Sequence, residues 1–298
     1  RIQLLSSQLM NSSEYPVFSN NKTSNINNIQ SLPYKVEGNP NSKFLLVFLH
    51  GYPNTMILWD SFVSKLHSNY LCLRISYPNY SEKIQLSKGM EFREIVPLIK
   101  ATIEKAEEVA NKQYTKIFVS HDWGCFLTYL FDSVYPNYIR LIYAFDVSFS
   151  NKPIVIKALS EKPYVKYLAE AFEKGGEEGD KMSRKMMDLL LKDPEFEGMT
   201  KDDIKRFDHS WNYMYYYLVK YSEYYSTFLK KYQPSCPIFY AYGKNKEKMF
   251  HDERALETLR KTTSSVVLPL PGGHWFMKKN LEVIISFLMR DLNNLSSR

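Results

Sequence analysis

A chain of 298 residues, 44% hydrophobic and 24% charged, is long enough for one large core or a core carrying one inserted module. Its net charge of +7 is scattered and reads as solvated surface. No Lys/Arg run is interleaved with aromatics as a nucleic-acid groove requires, and no apolar stretch approaches the ~18 residues of a membrane-spanning helix.

The chain opens on Arg1, and residues 1–30 are rich in Asn and Ser with a single acid, Glu14. This stretch resembles the trailing end of a mitochondrial transit peptide or a processed terminus, and equally a disordered leader, because Asn-rich tracts bury too little apolar area to fold alone. Residues 1–35 are therefore expected to be a poorly ordered extension, and the compartment mitochondrial or cytoplasmic. Cys72, Cys125 and Cys236 are far apart in or beside apolar runs, which predicts reduced, buried thiols in a reducing compartment. Their spacing suits no metal, and neither metal nor cofactor is expected.

From residue 43 the pattern becomes regular. Short continuous apolar runs at 43–50, 69–78, 116–122, 140–147, 236–243 and 264–272 predict six strands buried on both faces. Helical patterns alternate with them: "FREIVPLIKATIEKAEEVA", with Pro97 near its start as a candidate kink, the run after Asp122, "ERALETLRK" and "LEVIISFLMRDL". That alternation predicts an α/β fold with a mostly parallel sheet covered by helices on both faces. It stops over 151–232, a charged helical segment ending in "WNYMYYYLVKYSEYY", and then resumes. The expected organisation is a core of 36–150 and 233–298 with a helical cap of 151–232 over the sheet's C-terminal edge, where open α/β sheets bind ligands.

Three motifs carry chemistry. "SHDWG" (120–124) sits between a strand and a helix, where a small-x-acid-x-Gly turn lifts its central side chain, Asp122, above the sheet. Ser120 occupies the first small place, where Gly would relax the turn. The competing structural reading is an Asp that caps the following helix. "LHGYP" (49–53) follows the first strong strand and offers the Tyr52 N–H, which with that of Trp123 would form an oxyanion hole. "PGGHW" (271–275) sets His274 on a glycine loop after the last strand.

This ordered set, over about residues 40–298, resembles the α/β-hydrolase fold and, within it, the epoxide hydrolase and haloalkane dehalogenase branch, whose nucleophile is Asp. The resemblance implies Asp122 as nucleophile, His274 as base and a cap inserted after the strand that family convention counts as sixth, residues 140–147 here. Many relatives carry the third member, an acid, shortly after the next strand, where this chain has "YGKNKEK" with Lys246 near the expected place. The other position is Asp146, at the end of "LIYAFDV", where an unpaired acid would be costly to bury. Asp146 is preferred and Glu247 is kept as the lesser alternative.

The implied chemistry is attack on an sp³ carbon by a carboxylate already ionised at neutral pH, then hydrolysis of the ester by a water that His274 deprotonates. Asp146 would orient the imidazole and stabilise its cation. The substrate would be a small apolar epoxide or related electrophile, in a pocket lined by His50, Pro53 and Trp59. Epoxide opening needs a donor to the developing alkoxide, which cap tyrosines supply in epoxide hydrolases. Tyr164, Tyr167, Tyr213, Tyr215, Tyr216 and Tyr217 are candidates, and the resemblance favours Tyr164 and Tyr216. Halide departure would instead use Trp123 with an Asn at the place of Tyr52. A haloalkane dehalogenase is thus the first alternative. A non-catalytic accessory subunit of a larger assembly is the second, since fold does not fix function.

Overall fold

A computed structural model describes residues 29–149, 153–230, 232–262 and 264–297. Most of the expected leader, with its targeting reading, lies outside these residues. Seven strands form one sheet in the order β1-β3-β2-β4-β5-β6-β7: β1 Tyr34–Gly38, β2 Phe44–Leu49, β3 Leu71–Ile75, β4 Thr115–His121, β5 Ile139–Phe145, β6 Ile238–Gly243 and β7 Val266–Leu270. β1 runs antiparallel to β3 and the remaining pairs are parallel.

β1 is the strand that periodicity did not signal. Its sequence YKVEG is half exposed at the sheet edge, so it lacks the continuous apolar run of a strand covered on both faces. It starts at Tyr34, inside the stretch assigned to the leader, and buried Arg74 of β3 pairs with Glu37 on it. The inner strands show why their runs are unbroken. Leu45, Val47 and Leu49 of β2 join the core on one face, while Phe44, Leu46 and Phe48 join the core on the other.

The first face is covered by α2 (Phe92–Ala110), α3 (Trp123–Val134) and α10 (Glu253–Lys261). The second is covered by α1 (Asp60–Leu66) and α11 (Leu281–Ser296). Helix α2 begins with a Glu91/Glu94 capping box and runs through Pro97. Between β5 and β6 lie α4 (Pro153–Ser160), α5 (Pro163–Lys174), α6 (Gly176–Leu190), α7 (Lys201–Arg206), α8 (Tyr213–Lys220) and α9 (Ser222–Lys230). The strand before this helical segment is the fifth of the described chain.

The tyrosine-rich run of that segment is largely a seam against the core. The Tyr80 hydroxyl donates to Trp211 O at 3.0 Å, that of Tyr52 to Asn212 Oδ1 at 2.9 Å and that of Tyr217 to Lys88 O at 2.9 Å. Tyrosine suits such a seam because its ring packs while its hydroxyl satisfies a buried polar group. Among the described residues no helix is long and apolar enough to cross a membrane. The three cysteines are buried and unpaired, and burial pushes the Cys72 and Cys125 thiols up to about 12.

Candidate active site

β4 ends at His121 and α3 begins at Trp123, so the chain turns about Asp122 alone, at φ 53° and ψ −120°. A non-glycine residue held at positive φ is strained, and such strain concentrates at functional turns. Asp146, which follows β5, has a φ of 72°, so the strain sits at the two acids and not at Ser120. The turn also needs glycine close by. A Cβ on Gly51 would strike the Asp122 side chain, and one on Gly124 would strike the Leu49 carbonyl.

Asp122 is not an ordinary helix cap, because its side chain takes no capping bond from the second or third N–H of α3. Instead Oδ2 accepts the Tyr52 N–H at 2.8 Å, with the Trp123 N–H also close enough to the carboxylate to favour its charged form. Oδ1 lies 3.9 Å from His274 Nε2, beyond hydrogen-bonding reach. Burial raises the Asp122 carboxyl above its ordinary value, opposed by His274 and by the two backbone donors. His274 Nδ1 is 2.5 Å from Asp146 Oδ2.

Asp146 is fully buried. Burial acts to raise it, but the His274 bond and Lys246 outweigh burial and hold it below the ordinary carboxylate range. Lys246 lies 2.6 Å from both of its oxygens, and Gly243 N–H donates to Oδ1 at 3.2 Å. Glu247, the lesser alternative, is exposed and has no place beside His274. Its two lysine neighbours in sequence match that solvated position.

Asp122, His274, Asp146, Tyr52 and Trp123 are thus brought together from four loops. Three other expectations are corrected. Trp59 is fully buried in the second-face core against Phe48, Phe62 and Phe145, because the short turn 56–59 directs it under the sheet. His50 is enclosed between the Tyr77 and Tyr80 rings, with Nδ1 2.9 Å from Gly51 O, and burial lowers it to about 4, so it is neutral packing. Pro53, by contrast, needs no correction: it is buried directly beside the Tyr52 donor, joined to it by a cis peptide bond.

The third correction is one of helical register. Tyr216 packs on Phe172 and Tyr217, and its hydroxyl accepts from Lys220 at 3.2 Å, away from Asp122. Tyr215, one residue earlier and so about 100° round α8, faces inward. Its ring meets Trp123 at 5.1 Å and Tyr52 at 4.9 Å, both edge-on. Tyr164 lies 6.3 Å from Tyr215, and the Asp122 charge adds to burial in raising both phenols. Tyr164 also borders an apolar cleft of about 270 Å³ with Pro163, Tyr167, Met186 and Leu189.

Sequence reasoning missed a further layer that holds the loops. Glu195 accepts the Gly273 N–H at 2.5 Å, Phe196 packs edge-on against Trp275, and Gly198 O accepts the Thr55 N–H at 2.8 Å. His121 Nε2 lies 3.0 Å from the His274 carbonyl, with the rings 4.5 Å apart. The only signal for these was their nearness in sequence to motifs. Glu195 and Phe196 had none.

A seven-stranded, mostly parallel sheet covered by helices, with an acid–imidazole pair facing a carboxylate on the strand-to-helix turn, defines the α/β-hydrolase fold. Solved structures agree on the fold. Epoxide hydrolase A from Mycobacterium thermoresistibile superposes with a TM-score of 0.65 at 16% identity, over 87% of this chain and 93% of its own. Haloalkane dehalogenase DbeA from Bradyrhizobium elkani USDA94 gives 0.63 at 14%, over 89% and 94%. A marine microorganism esterase gives 0.56 at 11%, over 88% and 99%. No protein-family model and no curated protein matches the sequence. Identities this low establish the fold alone.

Proposed function

We propose that the chain is a hydrolase working through a covalent ester on Asp122, with epoxides as its substrate class and the helical segment 151–232 as its cap. The observation that carries this reading is the division of the Asp122 carboxylate. Oδ2 accepts the Tyr52 N–H at 2.8 Å, while Oδ1 faces His274 Nε2 at 3.9 Å.

In the first step Oδ1 attacks an epoxide carbon, the ring C–O bond breaks, and the alkoxide takes a proton from the Tyr164 or Tyr215 hydroxyl. In the second, His274 Nε2 takes a proton from water as its oxygen adds to the ester carbon of Asp122. The resulting oxyanion, on Oδ2, is held by the Tyr52 and Trp123 N–H groups. Collapse releases the diol and restores the carboxylate, and the imidazolium returns its proton to the tyrosinate.

The paired phenols support epoxide over halide. Tyr52 has no side-chain amide, and the amide of neighbouring Asn54 is already bonded to the Glu197 carbonyl and the Trp275 indole. Haloalkane dehalogenation is the second reading, supported by the buried Trp123 Nε1, which among the described residues meets only a loose contact with the Tyr215 side chain.

His274→Gln protein, incubated with a panel of epoxides and alkyl halides, is expected to carry a stable ester on the peptide holding Asp122. The class of electrophile that labels it decides between the two readings. No label from any member, with the wild type also inactive, overturns both and leaves the non-catalytic subunit, for which copurification with a larger assembly is the companion observation.

A further inference from the structure

Lys246 stands on the turn after β6, and its ammonium reaches 2.6 Å from each oxygen of Asp146, with its side chain 8% exposed and that of Asp146 wholly buried. Exposed ion pairs contribute little, but an enclosed pair fixes geometry, since loss of one member leaves the other charge buried alone. Three donors converge on this carboxylate: Lys246 on both oxygens, Gly243 N–H on Oδ1 and His274 Nδ1 on Oδ2.

A second set of contacts joins the same residues. The Lys246 ammonium lies 4.5 Å over the Phe250 ring, and that ring meets the His274 ring edge-on at 5.6 Å. The Phe250 carbonyl accepts the Ser148 N–H at 3.0 Å, tying this loop to the strand end that bears Asp146. Lys246 and His274 therefore grip one carboxylate and flank one aromatic ring.

The geometry points to Lys246 as a positioning residue for His274: it locks Asp146 so that Nδ1 stays the bonded nitrogen and Nε2 stays turned toward Asp122. This inference rests on reading His274 as the base of ester hydrolysis. Without the ammonium, Oδ1 keeps only the 3.2 Å bond from Gly243, and the carboxylate can rotate and take the ring with it. Alkylation of Asp122 needs no base, whereas hydrolysis of the ester needs the ring in place. Loss of Lys246 should therefore separate the two half-reactions, which a merely stabilising ion pair would not do.

The test compares Lys246→Met and Lys246→Arg with wild type by two readouts. The first, free of substrate, is the low-field proton of His274 Nδ1 in protein labelled with nitrogen-15 histidine. The second is the rate of formation and of hydrolysis of the Asp122 ester with an electrophile that labels His274→Gln. K246M is expected to lose or shift the Nδ1 proton and to slow ester hydrolysis about tenfold or more, with alkylation changed less than about twofold. K246R is expected to recover both in part. Lys246→Gln, which keeps one donor without the charge, replaces K246M if that variant does not fold. A folded K246M or K246Q with the wild-type Nδ1 resonance and an unchanged balance of half-reactions overturns the inference. If no electrophile ever labels Asp122, the hydrolase reading falls by itself, and the Nδ1 proton still decides what Lys246 does.

Discussion

His274 and Asp146 lie 128 positions apart in sequence, yet Nδ1 of one is 2.5 Å from Oδ2 of the other, across the mouth of the parallel sheet. The pair leaves Nε2 as the only ring nitrogen that can serve chemistry at Asp122.

Replacing Asp146 with Asn should remove that control. The amide can present its NH₂ to the ring and reverse the tautomer, so ester hydrolysis is expected to fall by about 10²- to 10⁴-fold while alkylation of Asp122 persists. Intact mass during turnover should show ester accumulating in Asp146→Asn. Equal slowing of both steps would place Asp146 outside the base function.

The one-residue difference between Tyr215 and Tyr216 gives a clean comparison. Tyr215→Phe is expected to slow epoxide opening by about tenfold or more, because a donor to the alkoxide is lost. Tyr216→Phe, on the outer face of α8, should stay within about twofold of wild type. Pre-steady-state alkylation rates check both, and the reverse ranking would restore the register read from sequence.

Gly51→Ala should discriminate site from scaffold. The three atoms nearest the added Cβ all belong to the Asp122 side chain, so the expected result is a folded protein, destabilised by about 1–3 kcal/mol in urea, that forms no ester. Full ester formation in Gly51→Ala would mean that Asp122 does not need its observed position.

Glu197 lies where the helical segment meets the Asn54 loop. Burial pushes its carboxyl up to about 7, with Lys278, 3.8 Å away, pulling the other way. In the unfolded chain it ionises near ~4.3. Between these values the folded state holds the extra proton, so this contribution to stability is whole below the unfolded value and is lost as pH rises toward 7. Glu197→Gln should flatten that fall. Urea midpoints from pH 4.5 to 7.5 measure it, and parallel profiles for variant and wild type would count against it.

Much of the architecture was legible because both signals are local. Strands buried on both faces must be apolar at every position; β2, β3, β6 and β7 fall within a run read from sequence, and β4 and β5 begin one residue before theirs. α2 and α10 begin and end where their periodicity does. β1 escaped because an edge strand with one face in water carries Lys35 and Glu37, and nothing in its pattern distinguishes it from a loop.

Two features of the site were legible locally: Ser120 and Gly124, two places either side of Asp122, mark a tight strand-to-helix turn, and His274 follows the last strand. Tertiary structure alone decided which side chains face Asp122. Packing across α8 chose Tyr215 over Tyr216, and the core beneath the sheet took Trp59 away from the site. It also decided that Lys246 closes over Asp146, because the pairing of two buried charges depends on how β5 and β6 end side by side, which no local pattern records.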